Sequence, residues 1–193
     1  MALFPSLPAT PMLSDVLSRF PSGADHLLRW VDDVMRADGP LPSADREMIA
    51  AYVSGLNACA FCHGAHVGFA RIFGIPDGTI EALLEDLETA PVRDALKPLL
   101  AYVRELNALP ARLTDAHAQA AYDAGWTEED LFDAIRVCAA FNAMNRIVEG
   151  AGVVPPAEPP AADPLAPGEP QPTYIKFGHR LGLIDPEKEP DPR

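Results

Sequence analysis

Four residues carry the chemistry available to this sequence: Glu47, Cys59, Cys62 and His66. Three of them lie within Asn57-Ala-Cys59-Ala-Phe-Cys62-His63-Gly-Ala-His66. On a helix, Cys59 and Cys62 are neighbours at i, i+3, while Cys62 and His66 are neighbours at i, i+4. His63 points about 100° away from Cys62 and does not share that face. Asn57 reads as an N-cap, which places Cys59 in the first turn, where free amide hydrogens and the helix dipole favour a thiolate. An imidazole one turn beyond Cys62 adds a proton acceptor, and a thiol beside such a group is activated near neutral pH.

Glu47 joins this group through the geometry of a helical hairpin. If the helix before the cysteines packs antiparallel against the next one about a turn centred near residues 56 and 57, Glu47 faces His66. Both then lie about 14 Å of helix rise from the turn and point into packed protein. A carboxylate on one imidazole nitrogen fixes the tautomer and raises the basicity of the other, as in any nucleophile, base and orienter relay.

The elements that position these residues read as helices over residues 12–150, with apolar positions recurring at three and four and no sustained alternation at period two. An all-α domain follows. A short helix starts at Ser14 and ends before Pro21. The next runs from Asp25 to Met35, and a third from Ser43 to Ser54, with Gly55 and Asn57 as stop signals. The cysteine helix spans Cys59 to Phe73, with Gly74 just beyond it. Thr79 starts a short helix to Leu87, and Pro91 opens one that reaches Leu106 with a kink or break at Pro98. Thr114 precedes a helix to Ala124, and Thr127-Glu-Glu-Asp130 starts a long one through Ile147 that ends at Gly150. Trp126 reads as a hydrophobic staple before that cap, Cys138 as core, and Asn142 and Asn145 as hydrogen-bonding groups across the bundle.

Composition sets the surroundings of the domain. Lys and Arg total 15 against 28 Asp and Glu, a formal charge of −13, which disfavours nucleic-acid and anionic membrane partners. Three cysteines, two of them three residues apart, are not the even pattern of a secreted disulfide framework. With no signal-like or membrane-spanning run at the N-terminus, a cytoplasmic location is expected. Eleven of the 21 prolines fall in residues 155–193, so the helical domain is expected to cover 12–154 and to be followed by a Pro-rich tail. Within that tail, residues 174–184 form an apolar island able to dock on a neighbouring surface.

The cysteine segment admits other chemistries. Cys59-Ala-Phe-Cys62-His63 has the spacing for covalent haem attachment, but that use leaves Glu47 and His66 unexplained. Cys59, Cys62 and His66 could supply three zinc ligands, yet no second ligand pair exists: Cys138, His117 and His179 are isolated. A thioredoxin-like motif lacks its βαβ context. Two buried cysteines of purely apolar role would not need a helical histidine beside them. Neither a metal nor another cofactor is therefore expected.

The order Glu47, twelve positions to Cys59, three to Cys62 and four to His66 resembles the motif of the alkylhydroperoxidase D-like branch of the carboxymuconolactone decarboxylase superfamily. The similarity extends through Glu47-Met-Ile-Ala-Ala-Tyr-Val-Ser-Gly-Leu-Asn-Ala-Cys59. Leu113-Thr-Asp-Ala-His, Gly125-Trp-Thr-Glu-Glu-Asp-Leu and Phe141-Asn-Ala-Met-Asn-Arg146 are similar to its uncharacterised peroxidase-related subgroup. The resemblance covers residues 12–154. It implies an all-α homo-oligomer of dimers or trimers that reduces hydroperoxides through a dithiol, recharged by an external dithiol reductant. Decarboxylase members lack the cysteine pair. In the founding peroxidase a histidine lies between the cysteines, where this sequence has Ala60 and Phe61.

The resemblance and the i, i+4 histidine together assign peroxide attack to Cys62, with Cys59 as the resolving thiol and Glu47 orienting His66. Helix position alone favours Cys59 as the more acidic thiol. A non-catalytic redox-sensing or metal-binding oligomer of the same fold is the alternative.

Overall fold

The computed structural model describes residues 3–156, 164–166 and 169–188. Among them every regular element is helical: α1 (Leu13–Arg19), α2 (Ala24–Arg36), α3 (Ser43–Leu56), α4 (Ala60–Ile72), α5 (Thr79–Glu85), α6 (Leu96–Asn107), α7 (Asp115–Asp123), α8 (Glu128–Gly150) and α9 (Tyr174–Arg180), with a short 3-10 turn after them. None of these helices is long and apolar enough to cross a membrane.

The bundle is organised around α3, whose residues from Asp45 to Ser54 are all buried. A helix enclosed on every side must be apolar or must pair its charges. Ile49, Ala50, Ala51, Tyr52 and Val53 do the first, packing with Leu99, Leu100 and Val103 of α6 and Val137 and Phe141 of α8. Asp45, Arg46 and Glu47 do the second. Arg93 pairs with Asp45, Arg46 Nε donates to Asp133 Oδ2 at 2.9 Å, and Glu47 meets the His66 imidazole and the Arg36 guanidinium, described below. Small residues bring the hairpin partners close. A Cβ on Gly55 would lie 2.5 Å from Leu84 Cδ1 and 3.1 Å from His63 Nδ1, so Gly55 is a packing residue inside α3 and not its stop.

Two other boundaries depart from the sequence expectation. The helix expected from Pro91 begins only at Leu96, which puts Pro98 in the first turn of α6, where a missing N–H costs nothing and no kink results. Asn57 is the C-cap of α3 and not the N-cap of α4. Ala58 turns the chain through the left-handed region at φ 55°, the Cys59 N–H returns to Ser54 O at 2.9 Å, and α4 starts at Ala60 with Cys59 as its N-cap. Thr127 caps α8 as its sequence suggests, its side chain accepting from Asp130 N and Asp130 accepting from Thr127 N at 2.7 Å.

The apolar island of the tail forms α9 and lies against α2. Asp32 Oδ1 accepts the N–H groups of Tyr174 at 2.6 Å and Ile175 at 3.2 Å, so a side chain of α2 satisfies the open start of α9. Arg36 Nε donates to Pro172 O at 2.7 Å. Ile184 folds back beneath Gly178 and buries with Leu17, Ala24 and Leu28. Part of the Pro-rich stretch expected between α8 and this island lies outside the described residues.

Candidate active site

Glu47 is fully buried at the centre of the site. His66 Nδ1–H donates to its Oε2 at 2.5 Å, and the Arg36 guanidinium lies 2.5 Å from its Oε1. Burial alone would raise this carboxyl, but the His66 interaction and then Arg36 more than offset it and hold the pKa below the ordinary 4.5. The hairpin register that brings α4 against α3 therefore joins Glu47 and His66 as the spacing implies. Arg36 is an addition. It closes the last turn of α2, one residue past the sequence-based boundary, and its charge also lies over Phe69, Phe73 and Tyr174 at 5.1–5.8 Å from the ring centroids.

With Nδ1 committed to Glu47, the Nε2 of His66 is the ring atom left for chemistry. It faces the Tyr174 hydroxyl of α9 at 3.4 Å. The imidazole is wedged edge-on against Phe141 of α8, ring centroids 4.3 Å apart at 74°, which fixes its plane.

All three cysteines are free thiols and buried. Cys59, at the N-cap of α4, is acidified to about 7, first by a hydrogen bond from the Cys62 thiol and then by the backbone N–H groups of Cys62 and Phe61. These are the amide hydrogens that an N-cap side chain normally accepts, so the helix start adds to the larger effect of the Cys62 thiol in producing the low thiol pKa expected for Cys59. The Cys62 thiol is pushed well up by donating to Cys59, by burial and by the charge Cys59 carries; a hydrogen bond with Asn145 opposes this. One proton is thus shared between the two sulfurs, with the negative charge favoured on Cys59.

Asn145 belongs to a polar knot that was only partly foreseen. Asn57 Nδ2 donates to Asn145 Oδ1 at 2.9 Å, Asn145 Nδ2 to Ser54 Oγ at 3.1 Å, and Asn107 Nδ2 to Asn57 Oδ1 at 2.9 Å. The knot ties the α3–α4 turn, and so the cysteine cap, to α6 and α8. His63 is turned away, its Nδ1 bonded to Ala51 O at 3.0 Å. Cys138 is core, with burial raising its thiol to about 11. Among the described residues no three His, Cys, Asp or Glu side chains are grouped to hold a metal ion.

A cavity of about 460 Å³ opens onto this constellation. Cys62 and His66 line it and Cys59 does not; Phe61, Phe69 and Phe141 supply apolar wall, and α9 supplies Tyr174 and Phe177. Its charged lining is cationic only, from Arg36, Lys176 and Arg180. Tyr174, Arg36 and Asn145 have no spacing signal linking them to Cys62. Only Tyr174's place in the apolar island hinted that it would be covered.

Comparison with known proteins adds a family match over part of the chain and a fold. The carboxymuconolactone decarboxylase family model matches residues 22–105. Mouse (Mus musculus) Sestrin-3 is 28% identical over 159 residues, covering 78% of this chain; the chain spans 30% of that relative's length. Among solved structures, an uncharacterised peroxidase-related protein with an alkylhydroperoxidase AhpD core from Ralstonia eutropha JMP134 superposes with a TM-score of 0.68 at 24% identity, over 74% of this chain and 75% of that one. The debrominase Bmp8 does so with a TM-score of 0.64 at 18% identity, over 74% and 76%. At these identities the likeness is one of fold.

Proposed function

We propose, for a chain of the carboxymuconolactone decarboxylase superfamily with an alkylhydroperoxidase D-like fold, a thiol-dependent peroxidase activity that reduces organic hydroperoxides through Cys59 and Cys62. The observation that carries the proposal is the dithiol at the N-cap of α4 beside a His66 held by Glu47, with Cys62 and His66 on the wall of an apolar cavity.

Cys62 is the sulfur a substrate meets. The proton shared by the dithiol passes to His66 Nε2, directly or through water, and leaves Cys62 a thiolate beside the Cys59 thiolate. Its thiolate attacks the near peroxide oxygen; the S–O bond forms as the O–O bond breaks, Cys62 becomes a sulfenic acid, and the proton ends on the leaving alkoxide. The Cys59 thiolate then attacks the sulfenic sulfur; the S–S bond forms as the S–O bond breaks, and the hydroxide leaves as water with a proton from solvent, replacing the one Cys59 gave up on ionising. An external dithiol restores both thiols by exchange. The sum is two thiols and one hydroperoxide giving a disulfide, an alcohol and water. Three unpaired cysteines suit a reducing, cytoplasmic setting, and exposed Phe132 and Leu109 offer apolar surface for a homo-oligomer, which sedimentation of the purified protein tests.

The deciding experiment is turnover of cumene hydroperoxide with dithiothreitol by the wild type, Cys62→Ser and Cys59→Ser. Loss in both variants, with a sulfenic acid trapped in Cys59→Ser only, is the expected result. Equal activity in all three would sink the mechanism. Oxidation of the wild type without recycling, or stoichiometric bound metal, would favour a redox-sensing or metal-binding module instead.

A further inference from the structure

We propose that Tyr174, carried to the site by the C-terminal helix α9, is a catalytic residue that hands the leaving oxygen its proton. The proposal rests on the peroxidase reading above and adds a residue that lies outside the motif shared by Glu47, Cys59, Cys62 and His66.

The argument begins with the two nitrogens of His66. Nδ1 is committed to Glu47, so any proton taken from the dithiol resides on Nε2. From there it must reach an oxygen bound against Cys62. The hydroxyl of Tyr174 stands 3.4 Å from Nε2 and lines the same cavity as Cys62. Its position is not adventitious. The Tyr174 N–H is held by Asp32, the Arg36 guanidinium lies 5.7 Å from the ring centroid, and Arg36 also binds Glu47, so one cation sets the carboxylate and the phenol on either side of the imidazole. Burial and the Glu47 charge push the phenol's pKa well up, against the opposing charge of Arg36, so the hydroxyl keeps its proton and serves as a donor.

The step balances without any further reagent. As the Cys62 thiolate takes the near oxygen, the O–O bond breaks and its electron pair goes to the far oxygen, which receives the Tyr174 proton. The phenol oxygen recovers a proton from His66 Nε2, which had received it from the dithiol. Sulfur is oxidised to the sulfenic acid, the peroxide is reduced to an alcohol, and Tyr174 ends as it began.

The test exploits the leaving group. An alkoxide needs a proton as it departs, whereas a carboxylate does not. Single-turnover loss of thiol is measured for wild type and Tyr174→Phe with cumene hydroperoxide, which releases an alkoxide, and with peroxybenzoic acid, which releases benzoate. The Phe variant keeps the ring under Arg36 and the N–H on Asp32. Proton donation predicts that Tyr174→Phe slows the cumene hydroperoxide reaction about 100-fold and the peroxybenzoic acid reaction less than about twofold. Equal slowing with both oxidants would mean that the hydroxyl only shapes the site and would overturn the proposal, as would no slowing with either. A wild type that reacts with neither oxidant would overturn the peroxidase reading itself, an outcome distinct from both.

Discussion

At Glu47 one buried carboxylate answers both the His66 imidazole and the Arg36 guanidinium, and that double pairing governs what substitution does. Glu47→Ala leaves Arg36 buried without its partner, and a loss of about 3–5 kcal/mol is expected in denaturant unfolding. Glu47→Gln keeps an acceptor oxygen and should stay folded while slowing thiol oxidation. The carboxyl's depressed pKa means that the unfolded chain binds this proton more readily. Glu47 therefore stabilises the fold above its unfolded pKa, and the contribution is lost as pH falls through the folded value. Unfolding free energy should fall below pH 4.5 more steeply in the wild type than in Glu47→Gln. At the dithiol, the largest acidifying influence on Cys59 is the Cys62 thiol, so Cys62→Ala should raise the Cys59 pKa from about 7 toward 9, read as thiolate ultraviolet absorbance against pH. The i, i+3 and i, i+4 spacing placed these residues on one helix face directly from the sequence. Helix position pointed to Cys59 as the more acidic thiol, as found, but the N-cap place it holds, two positions beyond the expected Asn57, was decided by the turn at Ala58.

Helix α9 shows how an element outside the principal bundle becomes part of a site. Its first N–H groups find Asp32 of α2, a side chain 142 residues away from Tyr174 in sequence. Asp32→Ala should weaken this docking by about 1 kcal/mol, the usual value of a cap. Faster amide exchange over 174–180, with little change in α3, would verify it; unchanged exchange would mean that the apolar contacts of Ile184 and Leu28 hold α9 alone. The helix boundaries followed their sequence signals where caps are local, as at Thr127 and Asp130. They failed at Gly55 and Pro98, where a stop or break signal was overruled. Gly55 stays helical because α5 and His63 need its missing side chain, and Pro98 is harmless because the helix starts only two residues earlier.

Across the whole molecule, a chain of net charge −13 lines its cavity with cations and aromatic rings. Lys176 and Arg180, one turn apart on α9, are the exposed members of that lining. A hydroperoxide bearing a carboxylate should therefore have a lower KM than its methyl ester, and the double variant Lys176→Glu with Arg180→Glu should reverse the order, with the contrast fading at high salt. Equal KM values for acid and ester at low salt would refute it. The sequence by itself determined the all-α class, the succession of helices to Gly150 and the face shared by Cys62 and His66, because helical periodicity and local caps act over a few residues. Tertiary structure alone decided the partners of the buried charges. Arg36 for Glu47, Asp133 for Arg46 and Arg93 for Asp45 come from distant segments, since a charge in an enclosed helix needs an opposite charge in space and nothing in its own neighbourhood of the chain says which one will arrive; the Tyr174 hydroxyl reaches His66 from as far away.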